Sequence, residues 1–281
     1  MAAKHTHRKS GTLINEYFYT ARMRDEQLLR YSRQIMLPEI DAEGQSRLAA
    51  ATVMIVGLGG LGSAASIYLA AAGVGHLLLI DFDTVDLSNL QRQIVHTTAD
   101  IGKPKVESAS VRLLALNPDL KLTLINRLLD ENEFAALMQE VEVVIDATDN
   151  FDTRFALNRA SVQTRTPLVS AAAIRFEAQI SVFDPRQPDS PCYRCLYAED
   201  NQIDATCTAN GVMAPLLGIV GSIQASEAMK LIMDIGSTLR GKLMLLDILN
   251  MEWHQARLAR DPDCPVCSTN ARNIQTTRHP A

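Results

Sequence analysis

Six consecutive residues, GLGGLG at 57–62, have the types and spacing that could hold a phosphate. Glycine lets the backbone turn tightly and approach a phosphate, and a helix that follows offers free N–H groups and the positive end of its dipole. The loop follows an apolar run at 52–56, and Asp81 ends the next run, where an acid usually meets a ribose hydroxyl. This order predicts a nucleotide site but leaves the nucleotide open; a glycine-rich turn without a ligand is the alternative. The binding residues predicted here are Gly57, Gly59, Gly60, Gly62 and Asp81.

Two basic side chains beyond the loop bear on which nucleotide is bound. Arg92 lies in the polar stretch SNLQRQ, and Lys105 closes GKPK just inside a predicted helix start. A lysine there opposes the helix dipole, which favours anions at that end. A bound anion is the simplest compensation, so we expect Lys105 to contact a phosphate; a solvated surface lysine is the alternative.

The motif DATDN at 146–150 brings carboxylates to the same region. It follows a predicted strand, and the carboxyl ends of parallel strands share one edge of a sheet, where ligands bind at the switch point. Asp149 is therefore predicted to lie near the glycine loop and Asp81. A carboxylate beside a triphosphate is repulsive unless a cation intervenes, so Asp149 indicates Mg²⁺. A helix N-cap formed by Asp149 and Asn150 is the other interpretation, and both can hold together.

Four of the five cysteines form two C-x-x-C pairs, Cys192 with Cys195 and Cys264 with Cys267, separated by 68 residues. Four thiolates are the ligand set of a closed tetrahedral zinc site, which has no open position for water and is therefore structural. Such a site would pin the C-terminal end to the loop after the strand that ends near Phe183. Two unrelated knuckles or redox pairs are the alternative.

The fifth cysteine, Cys207, lies in ATCTANG just before a long apolar helix. A thiol near a helix start can be acidified and nucleophilic, but a buried small hydrophobic residue is an equal alternative.

The elements that must position these residues alternate between strand and helix over roughly the first 150 residues, which is typical of βαβ units with a mostly parallel sheet. A helix is expected from Arg24 to before Pro38, and a capping box formed by Asp130 and Glu133 precedes another. The predicted strands are 52–56, 76–80, 122–125, 142–145, 168–172, 179–183, 242–247 and 252–257, and the other predicted helices are 63–72, 104–116, 134–138 and 212–233. One α/β domain over 24–281, a Rossmann-like nucleotide-binding fold with later antiparallel strands, follows a tail at 1–23.

The composition excludes several classes of protein. The 281 residues are 47% hydrophobic with a formal net charge of −5, which argues against disorder and against a basic nucleic-acid surface. Two uncharged stretches, 48–80 and 205–226, are interrupted by glycine or proline and are better interpreted as buried core than as membrane spans. The paired cysteines and the absence of a recognisable secretory signal indicate a reducing, cytoplasmic location.

Together these motifs resemble the MoeB/ThiF adenylyltransferases, bacterial relatives of ubiquitin-activating enzymes. The resemblance covers about residues 27 to 268 and runs through RYSRQI, GLGGLG, DFDTVDLSNLQRQ, GKPK, DATDN, PCYRC, GVMAP and CPVC. It implies a nucleotidyltransferase that uses ATP and Mg²⁺ to adenylate the C-terminal glycine of a small β-grasp sulfur carrier ending in Gly-Gly. The four paired cysteines match the zinc site of the family.

The resemblance also assigns roles residue by residue. Arg33, in RYSRQI, matches an arginine that reaches into the site of the partner subunit, so a homodimer is implied. Cys207 matches a cysteine that can link covalently to the carrier in some members. The implied catalytic residues are Arg33, Arg92, Lys105 and Asp149; the implied nucleotide-binding residues, besides the glycines and Asp81, are Ser88, Asn89, Leu90, Gln91, Arg92, Lys105, Asp149 (through Mg²⁺) and Asn150.

The carrier is less sharply specified. AAAIRFEAQISVF at 171–183 favours activation of a MoaD-type carrier for molybdenum cofactor biosynthesis, whereas YAEDNQ and RYSRQI lean toward activation of ThiS for thiamine biosynthesis. The chain ends soon after CPVC, so sulfur is expected from a separate protein, such as a cysteine desulfurase or a rhodanese.

Two other functions fit part of the sequence. An NAD-dependent oxidoreductase would use the glycine loop and Asp81. That function gives no role to Arg92, Lys105 or Asp149. A non-catalytic partner subunit is the second, and the complete set of charged positions argues against it.

Overall fold

The computed structural model describes residues 23–199 and 211–268. Eight strands form one sheet: β1 (Thr52–Val56), β2 (His76–Ile80), β3 (Lys121–Ile125), β4 (Val143–Asp146), β5 (Leu168–Ile174), β6 (Glu177–Phe183), β7 (Lys242–Asp247) and β8 (Glu252–Arg257). Their spatial order is β3-β2-β1-β4-β5-β6-β7-β8. The first five positions in this order pair in parallel, and β5 to β8 pair antiparallel. The predicted α/β fold with a later antiparallel extension is confirmed.

Helices cover both faces of the sheet. In chain order they are α1 (Asp25–Arg30), α2 (Ser32–Ile35), α3 (Asp41–Ala50), α4 (Gly60–Ala72), α5 (Lys105–Leu116), α6 (Glu131–Met138), α7 (Phe151–Thr164), α8 (Tyr193–Leu196) and α9 (Ala214–Met233). The capping box before α6 is present, because Asp130 accepts a hydrogen bond from the Glu133 N–H at 2.9 Å and its own N–H is bound in return. Gly73, at φ 90°, ends α4 as expected.

Two of the predicted helices need correction, and one further helix was missed. The helix expected from Arg24 is interrupted at Tyr31, whose buried hydroxyl accepts a hydrogen bond from Asn117. The helix expected from residue 63 begins at Gly60, inside the glycine loop. Helix α7 was not predicted, because its buried face includes polar side chains such as Asn158 and Ser161, which weaken the apolar stripe.

Alternate residues of the parallel strands enter two separate cores, as the pleat of a strand requires. On β1, for example, Val53 and Ile55 pack with α4, α5 and α9, whereas Met54 and Val56 pack with α6 and α7. Both faces are therefore apolar, which explains the continuous hydrophobic character of these strands.

Helix α9 is long and apolar enough to span a membrane by length and composition alone. In the structure, however, 56% of its most apolar window is buried inside the protein. A Cβ at Gly221 would lie 2.4 Å from the Leu61 carbonyl oxygen, so α9 packs almost backbone to backbone on α4. The helix is part of the core in this fold, as expected for the apolar stretch that contains it.

Two glycines of the loop at 57–62 are required by the backbone itself. Gly57 has φ 91°, a conformation that side chains disfavour, and a Cβ there would lie 2.7 Å from the Ala147 carbonyl oxygen. A Cβ on Gly62 would lie 1.9 Å from the carbonyl oxygen of Gly57. Gly62 thus permits α4 to pack closely on the loop that precedes it.

Substitution of these glycines tests that packing. Gly62→Ala should lower the free energy of unfolding by about 2 kcal/mol or more, although alanine in a helix interior normally stabilises by about 1 kcal/mol. Gly59→Ala is the matched control, because a Cβ there meets only the Gln93 side chain at 3.7 Å. Denaturant unfolding measures both variants; equal stability of the two would contradict the packing role of Gly62.

Candidate nucleotide site

A cleft opens at the carboxyl ends of the parallel strands, where the chain order reverses between β1 and β4. Val56 at the end of β1 pairs with Ile80 of β2 and with Asp146 of β4, so the residues that follow all three strands lie side by side. The cleft is open to solvent, and its lining combines apolar residues with a few charged side chains, as small-molecule sites do. Of the predicted site residues, those that line it are Gly57, Gly59, Gly60, Asp81, Arg92, Lys105, Asp149 and Asn150.

The glycine loop has N–H donors that find no acceptor in the described part of the chain. Among residues 23–199 and 211–268, no acceptor is bound to the N–H of Gly59 or Gly60. Gly60 is the first residue of α4, so its N–H lies at the positive end of the helix dipole. Such free N–H groups at a helix N-terminus form an anion site.

Asp81 closes the floor of the cleft beside this loop. One carboxylate oxygen accepts a hydrogen bond from the Leu58 N–H at 2.6 Å, and the other accepts from the Asp83 N–H at 2.9 Å. Burial raises the pKa of the Asp81 carboxyl, and the nearby Lys105 opposes this shift. Each oxygen keeps a further lone pair, so Asp81 remains able to accept a ribose hydroxyl.

Lys105 is not a solvated surface lysine, and its contact with a phosphate stays a prediction. Its side chain is only 6% exposed, which excludes a solvated surface lysine, and its Nζ lies 2.7 Å from Asp83 Oδ2. The anion that balances Lys105 at the start of α5 is therefore a carboxylate of the protein, and a bound phosphate is not needed for compensation. The ammonium group has three donors, so it can contact a ligand in addition to Asp83.

The polar stretch at 88–93 approaches the cleft through its last residues. Arg92 lines the cleft and donates a hydrogen bond to the Ser88 carbonyl oxygen at 3.0 Å. Asn89 accepts a hydrogen bond from the buried Gln93 side chain at 2.7 Å, and Gln93 also lines the cleft. Four predicted residues of this stretch do not line the cleft: Ser88, Asn89, Leu90 and Gln91.

The two aspartates of the DATDN loop lie in different environments, one in the protein interior and one at the mouth of the cleft. Asp146 is fully buried and accepts hydrogen bonds from the hydroxyls of Thr148 and Ser170, each at 2.6 Å. Asn150 caps α7 by accepting a hydrogen bond from the Thr153 N–H at 2.9 Å, which confirms the capping role at this motif. Asp149 is exposed and lines the cleft. It is thus the acid of this motif that is placed to meet a metal or a ligand.

Sequence reasoning missed several residues of the cleft. Arg154 lies one turn into α7, is buried, and donates a hydrogen bond to the Thr148 carbonyl oxygen, which fixes the DATDN loop. Arg127 follows β3, whose carboxyl end lies at the same edge of the sheet, and that position was the signal that could have revealed it. Phe82 and Leu128 add an apolar wall suited to a base.

Two predicted residues lie elsewhere. Arg33 is exposed on α2 and does not line the cleft of its own subunit. That position leaves it available to another chain and leaves its catalytic role a prediction. Cys207 lies outside the described residues.

The four paired cysteines meet at one point. Their Sγ atoms all lie within 4.8 Å of one another, with Cys192 to Cys264 at 3.6 Å and Cys195 to Cys267 at 3.5 Å. Four sulfurs bound to zinc at about 2.3 Å have edges near 3.8 Å, so the cluster has the dimensions of a tetrahedral zinc site. It joins the loop after β6 to the segment after β8, as predicted.

The surroundings of this cluster favour thiolates. The Asp261 N–H points to Cys195 Sγ at 3.4 Å, and the Asn158 amide on α7 points to Cys192 Sγ at 3.7 Å. N–H groups aimed at sulfur orient and stabilise metal ligands, so these residues fit zinc.

Comparison with known proteins agrees with this architecture. The model of the ThiF family matches residues 31–266. The chain belongs to the ThiF family. It is 49% identical over 247 residues to a protein of Escherichia coli K12 named molybdopterin-synthase adenylyltransferase, which covers 88% of this chain and 99% of that protein. It is 44% identical over 245 residues to the sulfur carrier protein ThiS adenylyltransferase of the same organism, covering 87% and 97%.

Solved structures extend the comparison to the nucleotide. The structure of E. coli MccB with ATP has a TM-score of 0.72 to this ThiF-family chain, at 27% identity, and covers 85% of this chain and 74% of that one. The structure of E. coli MccB with MccA-N7isoASN gives a TM-score of 0.75 at 25% identity, covering 85% of this chain and 75% of that one. The family and an ATP-bound neighbour therefore support ATP as the nucleotide.

Metal analysis tests the cysteine cluster of this ThiF-family chain. The purified protein should contain one zinc per chain, and Cys264→Ser should lose the zinc and lower the melting temperature by roughly 10 °C, because structural zinc contributes directly to folding. Elemental analysis and thermal unfolding measure the two effects. Cys207→Ser is the control for metal content, and a metal-free protein of undiminished stability would contradict the assignment.

Proposed function

We propose that this protein transfers AMP from ATP to the C-terminal glycine carboxylate of a small β-grasp sulfur carrier and releases pyrophosphate. The single observation that carries the proposal is the convergence, in one cleft, of unused N–H donors, two cations and an exposed acid. The donors are the N–H groups of Gly59 and Gly60, the cations are Arg92 and Lys105, and the acid is Asp149. The names of the similar E. coli proteins, both adenylyltransferases, support the same reaction.

The proposed reaction joins two anions. A carboxylate oxygen of the carrier attacks the α-phosphorus of ATP, an O–P bond forms, and the bond from that phosphorus to the bridging oxygen breaks. The electron pair leaves with pyrophosphate. No proton moves at the nucleophile, because a terminal carboxylate is already ionised at neutral pH. The site therefore needs no general base, and none is assigned.

The protein must instead offset negative charge and hold the reactants in line. The N–H groups of the glycine loop and the cationic ends of Arg92 and Lys105 would stabilise the phosphate oxygens from fixed positions. Asp81 would hold the ribose. Asp149 would hold Mg²⁺, and the ion, when bound, supplies further positive charge to the phosphates.

For the carrier, we favour the MoaD type over ThiS. The more similar of the two E. coli relatives, at 49% against 44% identity, is named for molybdopterin synthase. The stretch at 171–183 supports the same choice, and in the structure it forms β5, the hairpin turn and β6. The sulfur donor in this proposal is a separate protein, and the reaction takes place in the cytoplasm.

Arg33 extends the proposal to a homodimer. The side chain is exposed on α2 and lies outside the cleft of its own chain, so it can serve phosphates only across a subunit interface. A third cation from the partner would further offset the charge that builds up during the reaction.

Exchange of pyrophosphate into ATP tests the function. We expect exchange that depends on a MoaD-type protein ending in Gly-Gly and that falls roughly 100-fold or more in Arg92→Ala and Asp149→Ala, as when preorganised charge stabilisation is removed. Arg112→Ala and Glu140→Ala, which are exposed and outside the cleft, are the matched controls and should keep the full rate.

Three outcomes would contradict parts of this proposal. Full exchange in Arg92→Ala or Asp149→Ala would remove the assigned role of that residue. Pyrophosphate exchange with ThiS but not with MoaD would assign the protein to thiamine biosynthesis. Thermal stabilisation by NAD, with none by Mg·ATP, would favour an oxidoreductase instead.

Mixed dimers test Arg33. Arg33→Ala and Asp149→Ala proteins should each be inactive, but a mixture that forms hybrid dimers should recover up to about one quarter of the exchange activity, because one of the two sites then has all its residues. Native mass spectrometry verifies the hybrids. If verified hybrids show no recovery, Arg33 does not act across the interface.

A further inference from the structure

One peptide group in the glycine loop, between Leu58 and Gly59, is held by a residue that the proposed reaction does not use. The Leu58 carbonyl oxygen lies 3.2 Å from His96 Nε2, and it also accepts a longer hydrogen bond, at 3.5 Å, from the Ser63 hydroxyl. In a planar trans peptide the C=O and the next N–H point in opposite directions. Fixing the Leu58 carbonyl on His96 therefore fixes the Gly59 N–H, which has no acceptor in residues 23–199 and 211–268.

The other nitrogen of the same ring is bound to the helix that carries Lys105. His96 Nδ1 lies 2.8 Å from the hydroxyl of Ser108, one turn beyond Lys105 on α5. Burial lowers the pKa of His96, which keeps the ring neutral. A neutral ring that donates from Nε2 to a carbonyl must accept at Nδ1, so the Ser108 hydroxyl donates to it.

Together with other hydrogen bonds, these contacts connect the glycine loop to α5 along the floor of the cleft. The Leu58 N–H is bound to Asp81, Asp81 accepts from the N–H of Asp83, and Asp83 is paired with Lys105 at 2.7 Å. His96 supplies the remaining connection between α5 and the loop, and it is only 5% exposed. The loop donors and the lysine are thereby held at a fixed separation.

We propose that His96 is a positioning residue for the phosphate site: it holds the Leu58–Gly59 peptide so that the Gly59 N–H faces a phosphate of the nucleotide while Lys105 faces the same group. His96 itself contacts no substrate. The inference rests on the proposed function only in that a nucleoside triphosphate occupies the cleft. A purely structural histidine is the competing explanation, and it predicts loss of stability without a specific loss of nucleotide affinity.

Two substitutions separate these explanations, because each keeps one of the two contacts. A glutamine amide reaches the position of Nε2 and can still donate to Leu58, whereas an asparagine amide reaches the position of Nδ1 and can only replace the contact with Ser108. His96→Asn should weaken binding of Mg·ATP roughly tenfold, and His96→Gln should stay within about threefold of the unsubstituted protein. Calorimetry measures the affinities, and thermal unfolding should show a similar destabilisation of both variants.

A second pair of variants avoids any change in the ring. Ser108→Ala removes the hydroxyl that orients His96 and should weaken ATP binding about threefold. Ser110→Ala is its matched control, since the Ser110 hydroxyl is bound to the Glu107 carbonyl oxygen on the outer side of the same helix. Ser110→Ala should leave the affinity unchanged. This pair decides the question if His96→Asn does not fold.

The outcomes separate this inference from the proposed function. Equal affinities of His96→Asn and His96→Gln, with Ser108→Ala unchanged, would overturn the positioning role even if pyrophosphate exchange is normal. Conversely, the protein could show no pyrophosphate exchange with any carrier while His96→Asn binds ATP more weakly than His96→Gln. That result would support the positioning role of His96 and contradict the proposed adenylyl transfer. An unsubstituted protein that binds no ATP would overturn both.

Discussion

The register of three neighbouring parallel strands is the constraint on which the candidate site depends. Val56 of β1 pairs with both Ile80 and Asp146, so the chain leaves β1, β2 and β4 at the same level. Hydrogen bonds continue beyond the strands, from the N–H of Gly57 to Ile80 and from that of Ala147 to Val56. A shift of one residue would turn each strand's side chains to the opposite face and move the loop away from its acids, and the two apolar cores prevent it.

Charge balance inside the cleft is the second organising feature. The buried ammonium group of Lys105 is paired with the exposed carboxylate of Asp83, so its charge is compensated within the protein. The groups that can still meet a ligand are the N–H donors of the loop, Arg92, the remaining donors of Lys105 and the exposed Asp149. A site of this kind is preorganised, because little has to rearrange when phosphate charge enters it.

The cysteine cluster and helix α7 connect the later part of the chain to the same site. Helix α7 begins at Asn150 beside the cleft, carries Arg154 under the DATDN loop, and reaches Cys192 through Asn158. A zinc ion at the cluster would anchor the segment after β8 against this helix. The antiparallel half of the sheet and the parallel half are thus joined by a hydrogen-bonded helix as well as by strand pairing.

The sequence alone determined the order of the eight strands along the chain, the α/β fold, the four-cysteine site and the strand–loop–helix–acid motif, because these depend on local patterns and on the spacing of motifs. It did not reveal helix α7, whose buried face carries polar side chains. It also identified eight residues that line the cleft, most of them from residue types and spacing before the family resemblance was considered. It could not show that Asp83 neutralises Lys105, that Gly62 serves packing rather than lining the cleft, or that Arg154 and Gln93 line the cleft. Those facts depend on which side chains meet after distant segments fold together, and burial and pairing are properties of that meeting rather than of any local pattern.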